Sequence, residues 1–196
     1  MPGKSKAPLH TSNNPSPFTG TALEPYRHLF KRVDVPAHTL LLREGTVSRK
    51  AYFIEKGCIR IWFNNQGKDI TFQFFFENEA VSSVESFQTH TPSLFNIETL
   101  EPCVLHELTQ KDFTAMRAES PAFNDLINES VLRRMVFYQK LFLSRIKDNP
   151  AQRYAALVEE YPHILQRVPQ HYIASYLGIT SVHLSRIKSK LTRRIR

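Results

Sequence analysis

Cysteine is scarce in this sequence of 196 residues, which contains only Cys58 and Cys103. Two thiols are too few for the disulfide framework of a small secreted domain or for a four-thiolate iron–sulfur cluster. Both residues lie in apolar, strand-like runs, so we expect two buried, free thiols.

Long apolar runs are absent as well. No 18 consecutive residues are apolar, so the sequence offers no transmembrane helix. The first 20 residues, MPGKSKAPLHTSNNPSPFTG, lack the apolar core of a secretory signal. They are rich in Pro, Ser and Asn, which predicts a flexible arm over residues 1–20. We therefore expect a cytoplasmic protein that does not enter the membrane.

The motifs of common enzymes and metal sites are also missing. The sequence has no P-loop, no nucleophile elbow and no closely spaced Cys/His pair. His38, His90 and His106 stand apart from one another, so they do not form the His-x-His of a cupin metal site. We expect no catalytic residue, no metal and no cofactor.

Positive charge, by contrast, is concentrated towards the C-terminal end. Residues 131–196 hold 13 Lys+Arg and 3 Asp+Glu, a net charge of +10. Residues 1–130 hold 13 and 15, a net charge of −2, and the sum is the +8 of the whole chain. Such an asymmetry is typical of a module that meets nucleic-acid phosphates.

The same basic part contains the stretch VPQHYIASYLGITSVHLSRIKSKL, residues 168–191, which predicts a helix-turn-helix. Ile173, Ala174 and Leu177 share one face of a short helix, and Gly178 can take the left-handed conformation that ends it. Thr180 is a suitable N-cap for a second helix. The apolar stripe of that helix consists of Leu184, Ile187 and Leu191. Its other face is small, polar and basic and fits a major groove, although an ordinary helical hairpin is the alternative.

Short runs rich in Val, Ile, Phe and Thr fill residues 33–110. Gly45, Gly57 and Gly67 divide them at spacings of twelve and ten residues, as in the strands of a barrel or sandwich. Asn65-Gln66-Gly67-Lys68 predicts a hairpin tip in which Gly67 supplies a positive φ. The phenylalanines of this region could fill the core or line a site for an apolar effector.

Residues 121–147 predict one long helix, which begins at Ser120-Pro121 and ends before Asp148-Asn149-Pro150. Apolar residues cover so much of its girth that it must be covered on more than one side. One side can rest on the β region, and the other can pair with a second copy as a coiled coil. Burial inside a single subunit is the alternative. The predicted dimer contacts are Ile127, Val131, Met135, Tyr138 and Phe142.

The order of a β barrel, a long helix, a short helix and a helix-turn-helix resembles the bacterial Crp/Fnr family of transcription regulators. The stretches that carry the resemblance are AYFIEKGCIRIWF, NIETLEPCVLHEL, NPAQRYAALVEEYP and IASYLGITSVHLSRIK. The resemblance implies an α+β fold with an N-terminal antiparallel, jelly-roll-like β-roll of the cyclic-nucleotide-binding type. A long dimerisation helix and a C-terminal winged-helix-type helix-turn-helix domain follow.

This resemblance also sets the expected boundaries. We expect an arm over residues 1–20, the β-roll over 21–119, the dimerisation helix over 120–147 and the DNA-binding domain over 148–196. We expect no substantial strand wing after the second hairpin helix.

The effector pocket departs from the pattern of family members that bind cyclic AMP. Those members carry Gly-Glu, a few small residues and then Pro-Arg before a strand. Here Pro92 is present, but Ser93 replaces the Arg and the Gly-Glu is missing, so Val81, Ser82, Pro92 and Ser93 mark a degenerate pocket. Burying a cyclic phosphate without a guanidinium costs several kcal/mol, so we predict no tight binding of cyclic AMP. The effector stays unknown; haem sensing stays open, although no His stands out as an axial ligand.

The recognition helix departs from the family at its start, where Ser181-Val182 replaces Arg-Glu or Pro-Glu. Arg186 matches the base-reading Arg of the family and is suited to guanine O6 and N7, while Val182 is suited to a thymine methyl. The predicted base readers are Ser181, Val182, Ser185 and Arg186. The predicted phosphate contacts are Gln170 and Thr180, with His183, Lys188, Lys190, Arg193 and Arg194 as looser candidates. For each of these basic residues, a solvated surface position is the alternative.

The partners that the resemblance implies are double-stranded promoter DNA, a second copy of the chain and RNA polymerase. The alternative is a β-roll sensor or adapter that binds a small molecule and acts through protein contacts. The basic C-terminal part favours DNA.

Overall fold

The computed structural model describes Phe18 and residues 21–195, with side chains as far as Leu191. After the 3-10 helix Glu24–Leu29 come eight strands: β1 (Lys31–Val35), β2 (Leu40–Leu42), β3 (Lys50–Lys56), β4 (Ile59–Asn65), β5 (Lys68–Phe75), β6 (Ala80–Val81), β7 (Asn96–Thr99) and β8 (Cys103–Thr109). The helices are α1 (Val84–Thr89), α2 (Gln110–Glu119), α3 (Pro121–Lys147), α4 (Pro150–Glu160), α5 (Ile164–Arg167), α6 (Gln170–Leu177) and α7 (Ser181–Ile195).

The strands form two four-stranded antiparallel sheets, which together make the β-roll. Their strand orders are β1-β8-β3-β6 and β2-β7-β4-β5. Apolar residues alternate along the strands, as expected where one face of a sheet is buried. The interior between the sheets is mostly aliphatic and includes Leu42, Ile54, Ile59, Ile61, Ile97 and Leu105. The predicted β-roll is confirmed.

Strand β5 distributes its phenylalanines between two cores. Phe75 points into the interior of the roll. Phe74, and Phe76 directly after the strand, point the other way and belong to the core of the C-terminal helices. The alternation follows from the two-residue period of a strand. These side chains therefore fill cores and join the roll to the helices.

The tip of the β4–β5 hairpin has the predicted conformation. Asn65 pairs with Lys68, and the two residues between them both have positive φ, 53° at Gln66 and 85° at Gly67. Two left-handed residues give a turn whose twist matches that of the flanking strands.

Both cysteines are free and buried, as the sequence predicts. Burial raises the pKa of the Cys103 thiol to about 11 and that of the Cys58 thiol well above its usual value. Thiols held in their protonated form are poor nucleophiles and poor metal ligands.

The predicted arm ends too late in the sequence. Phe18 falls within the expected range 1–20, yet it is buried and belongs to a core cluster with Leu108, Met116 and Phe123. Its ring lies 4.8 Å from the ring of His106 in an edge-to-face arrangement. The residue is apolar in a polar stretch, and its burial against the roll outweighs the composition around it. The other residues of the arm, 1–17 and 19–20, lie outside the described part of the chain.

The long helix α3 has the predicted bounds. The Ser120 hydroxyl accepts a hydrogen bond from the Phe123 N–H (3.1 Å), and Pro121 occupies the first turn. Asn149 then caps α4 in a capping box with Gln152. From residue 110 onward, all regular structure in the described part of the chain is helical, so the C-terminal domain consists of α4 to α7.

Candidate nucleic-acid interface

The turn between α6 and α7 forms as the sequence predicts. Gly178 has φ 69° and ψ 34°, in the left-handed region, and its N–H donates to the Ser175 carbonyl (3.0 Å). The N–H of Ile179 donates to the Ala174 carbonyl (3.0 Å), which closes α6. Thr180 Oγ1 accepts from the N–H of His183 (3.2 Å) and so caps α7.

One face of each hairpin helix is buried in a shared core. Ile173 and Leu177 of α6 and Leu184 and Ile187 of α7 are at most 6% exposed. The burial of these four side chains fixes which face of α7 points outward. The helix-turn-helix prediction is therefore correct in its elements, its turn and its core.

The four predicted base readers share the outward face of α7. Ser181, Val182, Ser185 and Arg186 are all exposed. Arg186 takes part in none of the ion pairs found between the described residues. A guanidinium held on a rigid helix with its donors in solvent can bind a guanine edge in two places.

The predicted phosphate contacts are less uniform. Gln170 is exposed at the first residue of α6, and His183 and Lys190 are exposed on α7. Lys188 is half-buried. Thr180 is exposed, but its oxygen accepts the capping hydrogen bond, so only its hydroxyl proton is available to a phosphate oxygen. The side chains of Arg193 and Arg194 lie outside the described part of the chain.

Two arginines hold the C-terminal end of α6. Arg145, from the last turn of α3, donates to the Tyr176 carbonyl, and Arg153 of α4 donates to the Leu177 carbonyl (3.1 Å). These carbonyls end α6 and carry the negative end of its dipole, so cations stabilise them. The first hairpin helix is thereby attached to the end of the long helix.

The other side of α6 lies against strand β5. Ser175 Oγ accepts from the N–H of Thr71 (2.9 Å) and donates to the Asp69 carbonyl (2.9 Å). The rings of Phe74 and Tyr176 are 5.5 Å apart. Side-chain hydrogen bonds to the edge strand and ring packing together join the helix-turn-helix to the β-roll.

Arg60 lies buried at this junction. It is 2% exposed, and its guanidinium donates two hydrogen bonds to Glu98 at 2.7 and 2.9 Å. Its Cζ lies 3.9 Å from the centre of the Tyr172 ring in α6 and 4.7 Å from that of Trp62. The paired charge and the cation–π contacts make burial of the guanidinium tolerable.

A second ionic junction involves Arg167 of α5. Its guanidinium binds both oxygens of Glu77, at 2.7 and 2.8 Å, and also contacts Glu101. Burial alone would raise the pKa of Glu77, but hydrogen bonds from Arg167 and from the Gly57 N–H outweigh it and hold this pKa at about 2. Both carboxylates come from loops of the roll, so this pair also joins the roll to the C-terminal helices.

Sequence reasoning missed all four of these positioning arginines. Their partners lie between 5 and 112 positions away in the chain, and side-chain contacts over most of that range leave no local pattern. Only Arg60 gives a signal, since a charged residue between Ile59 and Ile61 in an apolar strand requires a partner on its face.

By sequence, no curated protein matches the chain significantly. Residues 32–120 match the cyclic nucleotide-binding domain family. In three dimensions the chain is similar to FixK2 from Bradyrhizobium japonicum, with a TM-score of 0.73, 11% identity and coverage of 84% of this chain and 85% of that one. It is also similar to a CooA mutant from Carboxydothermus hydrogenoformans (TM-score 0.68, 15% identity, 87% and 79%) and to the c-di-GMP-responsive global regulator CLP of Xanthomonas campestris (0.68, 16%, 88% and 91%).

The chain has the fold of the Crp/Fnr regulators. The fold that the resemblance implies is confirmed, with a β-roll, a long helix and C-terminal helices in this order. Within residues 21–195, no helix has the length and apolar character needed to cross a bilayer.

In this Crp/Fnr fold, two neutral hydroxyls lie where the sequence predicts a degenerate effector pocket. Ser93 Oγ lies 3.0 Å from Ser83 Oγ and donates to the Phe95 carbonyl (2.8 Å), and both serines are buried. The sequence reading named Ser82, which is half-buried, and missed Ser83. Val81 is buried in the roll, and Pro92 is exposed in a β-bridge to Val47.

The long helix of this Crp/Fnr fold leaves most of its apolar surface open. Val131 is 55% exposed, and Phe142 and Ile146 are each 67% exposed. Two of the predicted dimer contacts also make contacts within their own subunit, although Tyr138 is 38% exposed. Ile127 packs on the core cluster around Phe123, and the Tyr138 hydroxyl donates to Gln73 Oε1 (2.6 Å).

The exposed apolar residues of α3 define an open face that is rotated from the predicted one. Its members, each at least 40% exposed, are Val131, Leu132, Met135, Val136, Phe142, Leu143 and Ile146. At 100° per residue, Leu132, Met135, Phe142 and Ile146 fall along its centre, with the polar Gln139 between them. The predicted residues Val131, Met135 and Phe142 belong to this open face.

Proposed function

We propose that this protein is a sequence-specific, DNA-binding transcription regulator that acts as a homodimer and is not controlled by cyclic AMP. The outward face of α7 carries the proposal. Its four candidate base readers are exposed, while Leu184 and Ile187 of the same helix are buried and fix its orientation. The net charge of +10 in residues 131–196 supplies the attraction to phosphates.

The open face of α3 supports the homodimer. A contiguous apolar face on a monomer marks an interaction surface, because leaving it in water is unfavourable. Leu132, Met135, Gln139, Phe142 and Ile146 recur at steps of three and four residues, which is the seam of a two-stranded coiled coil. A two-fold pair would present two recognition helices to one duplex.

The serine pair supports independence from cyclic AMP. Ser83 and Ser93 are buried and hydrogen-bonded to each other, and neither carries a charge to balance a cyclic phosphate. We expect isothermal titration with cyclic AMP to show no saturable binding in the micromolar range. Micromolar or tighter binding contradicts this part of the proposal.

Selection of bound sequences from random DNA tests the central claim. We expect enrichment of a two-fold palindrome with half-sites about one helical turn, ~34 Å, apart. Affinity should fall steeply with salt, because each neutralised phosphate releases counterions. Failure to enrich any sequence would contradict the proposal.

The Arg186→Ala variant tests which residue reads the bases. We expect a loss of about 1–3 kcal/mol of binding free energy on the selected site and a relaxed base preference at one position. Arg133→Ala, on the exposed surface of α3, is the matched control and should leave base preference unchanged. Equal weakening on all sequences would make Arg186 a phosphate contact only.

The alternative, a β-roll adapter that acts through protein contacts, predicts no salt-dependent shift of any duplex. The basic recognition helix favours DNA over this alternative. The partners that we propose for such a regulator are promoter DNA and RNA polymerase. Its proposed location is the cytoplasm.

A further inference from the structure

A cavity of about 440 Å³ opens at the edge of the β-roll, beside β2 and the loop between β2 and β3. Its volume lies within the range of small-molecule sites in proteins. Ser83 and Ser93 are not among its lining residues, but the cavity adjoins the predicted degenerate effector pocket, because its lining residues Thr46 and Val47 pair with Ser93 and Pro92.

Five of the ten residues that line the cavity are apolar, and four of these are aliphatic. Leu40, Leu41, Leu42 and Val47 contribute to it, and Tyr52 is its one aromatic residue. Leu42 and Tyr52 also belong to the core between the two sheets, so the cavity reaches the interior at the open edge of the roll. A wall of this composition suits a flexible hydrocarbon chain better than a flat aromatic ring, which favours ring-on-ring contacts.

The rim of the cavity is positively charged. Arg43, Arg49 and Lys50 lie along it, and Lys50 is paired with Glu107 (2.8 Å). Arg43 and Arg49 are exposed, and neither occurs in an ion pair between the residues that the structure describes. Two guanidiniums without a carboxylate leave the mouth with a net positive charge that an anionic head group would balance.

The loop that carries both arginines is held in place. The Gly45 N–H donates to the Ser93 carbonyl, and the Ser93 N–H donates to the Thr46 carbonyl, both at 2.8 Å. The Ser48 N–H donates to Ser86 Oγ at 2.8 Å. The cavity is therefore formed before any ligand arrives, which lowers the entropic cost of binding.

We propose that this cavity binds a small amphipathic anion, namely a short aliphatic chain that ends in a carboxylate. The chain lies against the leucines of β2, and the carboxylate accepts hydrogen bonds from Arg43 and Arg49. The same anionic aliphatic chemistry occurs in free fatty acids and in membrane lipids. We assign free acids as the ligands, because the leucines of β2 and the two arginines share one small site of about 440 Å³, which matches a small molecule rather than a bilayer surface.

Calorimetric titration with octanoate tests the site. We expect saturable one-to-one binding to the full chain. Octanol, which has the chain without the charge, and inorganic phosphate, which has charge without the chain, should each bind at least about tenfold more weakly. Equal binding of octanoate and octanol, or no saturable binding of octanoate, overturns the proposal.

Variants locate the bound anion. The double variant Arg43→Ala/Arg49→Ala should weaken octanoate at least about tenfold, the factor for losing a charge-assisted hydrogen bond. Lys68→Ala, an exposed cation at the hairpin tip, is the control and should bind as the parent does. Both variants remove exposed side chains, and an unchanged melting temperature confirms that the fold persists. Undiminished binding by the double variant overturns the site.

Flotation with phosphatidylglycerol vesicles separates the two sources of the ligand. We expect no protein to float with the vesicles, because a site of about 440 Å³ matches a free acid and not a bilayer surface. Flotation that is lost in the Arg43→Ala/Arg49→Ala variant would identify a membrane surface as the ligand and overturn the assignment to free acids.

Discussion

The helix-turn-helix and the long helix both carry apolar stripes, and they differ in what covers them. In α6 and α7, Ile173, Leu177 and Leu184 are at most 1% exposed. In α3, Met135 and Phe142 are 51% and 67% exposed. The two patterns are alike in the sequence. An apolar stripe thus identifies an interface, but it does not show whether the same subunit or another molecule covers it.

The hairpin is covered within the chain, by α4, by α5 and by strand β5 of the roll. The open face of α3 has no cover among the described residues, and a second copy is the cover that we propose. The comparison therefore separates contacts that stabilise one subunit from contacts that assemble two.

The largest effect is expected from charging the centre of the open face. In the double variant Leu132→Glu/Phe142→Glu, association should weaken at least about a thousandfold, because unpaired charges in an apolar interface cost several kcal/mol. Sedimentation velocity should report a shift from dimer to monomer. Lys140→Glu, on the same helix, is the control, and circular dichroism should show unchanged helix content. A persistent dimer would place the interface elsewhere.

The next largest effect is expected at Arg60, which lies where the β-roll contacts the first hairpin helix. Arg60→Ala should lower the free energy of unfolding by about 3–5 kcal/mol, since Glu98 loses its guanidinium partner in a mostly buried position and Tyr172 loses its cation. Chemical denaturation measures this. Arg32→Ala breaks an exposed pair with Asp34 and should cost at most about 1 kcal/mol. Similar losses in the two variants would show that the junction contributes little.

A smaller effect, with a defined pH dependence, is expected at Arg167. The pKa of Glu77 lies at about 2, below its usual value of 4.5, so its ionised form stabilises the fold. This contribution is fully present above pH 4.5 and is lost as the pH falls towards 2. Arg167→Ala should lower the free energy of unfolding by about 2 kcal/mol at neutral pH, because the pair is only partly buried.

The matched variant is Glu77→Gln. Its stability should change less between pH 4.5 and pH 2 than that of the parent, because it has no carboxylate to protonate. Equal acid sensitivity in the parent and in Glu77→Gln would mean that other carboxylates dominate the acid response.

The smallest effect is expected at the turn. Gly178→Ala places a side chain at φ 69°, with its Cβ about 3.0 Å from Arg145 Nη1, and should cost about 1 kcal/mol. Thermal unfolding measures this loss. Gly67→Ala also has a positive φ but has nothing within 4 Å, so its cost should reflect the backbone alone. A smaller loss at Gly178 than at Gly67 would show that Arg145 moves aside freely.

Much of the fold follows from local signals in the sequence. Ser120-Pro121 and Asn149-Pro150 bound α3, and Gly178 and Thr180 fix the hairpin turn, because caps and left-handed residues act on their immediate neighbours. The exposed face of α7 follows from its apolar stripe in the same way.

The contacts between distant parts of the chain do not follow from such signals. Arg145 and Arg153 each bind a carbonyl more than 20 positions away, and no periodicity predicts the pairing. The rotation of the open face of α3 is also missed, since Tyr138 is apolar enough to suit either side and only its hydrogen bond to Gln73 decides. Ser83 is missed because a small polar residue in a loop has no distinctive pattern.

The attachment of α6 to the end of α3 through Arg145 has a mechanical consequence. In the proposed dimer, the two α3 helices would set the distance between the two α7 helices. This distance would then depend on the angle at which the two α3 helices cross. A small molecule or substitution that tilts one α3 helix would change the half-site spacing that the dimer can bind. No residue that contacts a base would need to change.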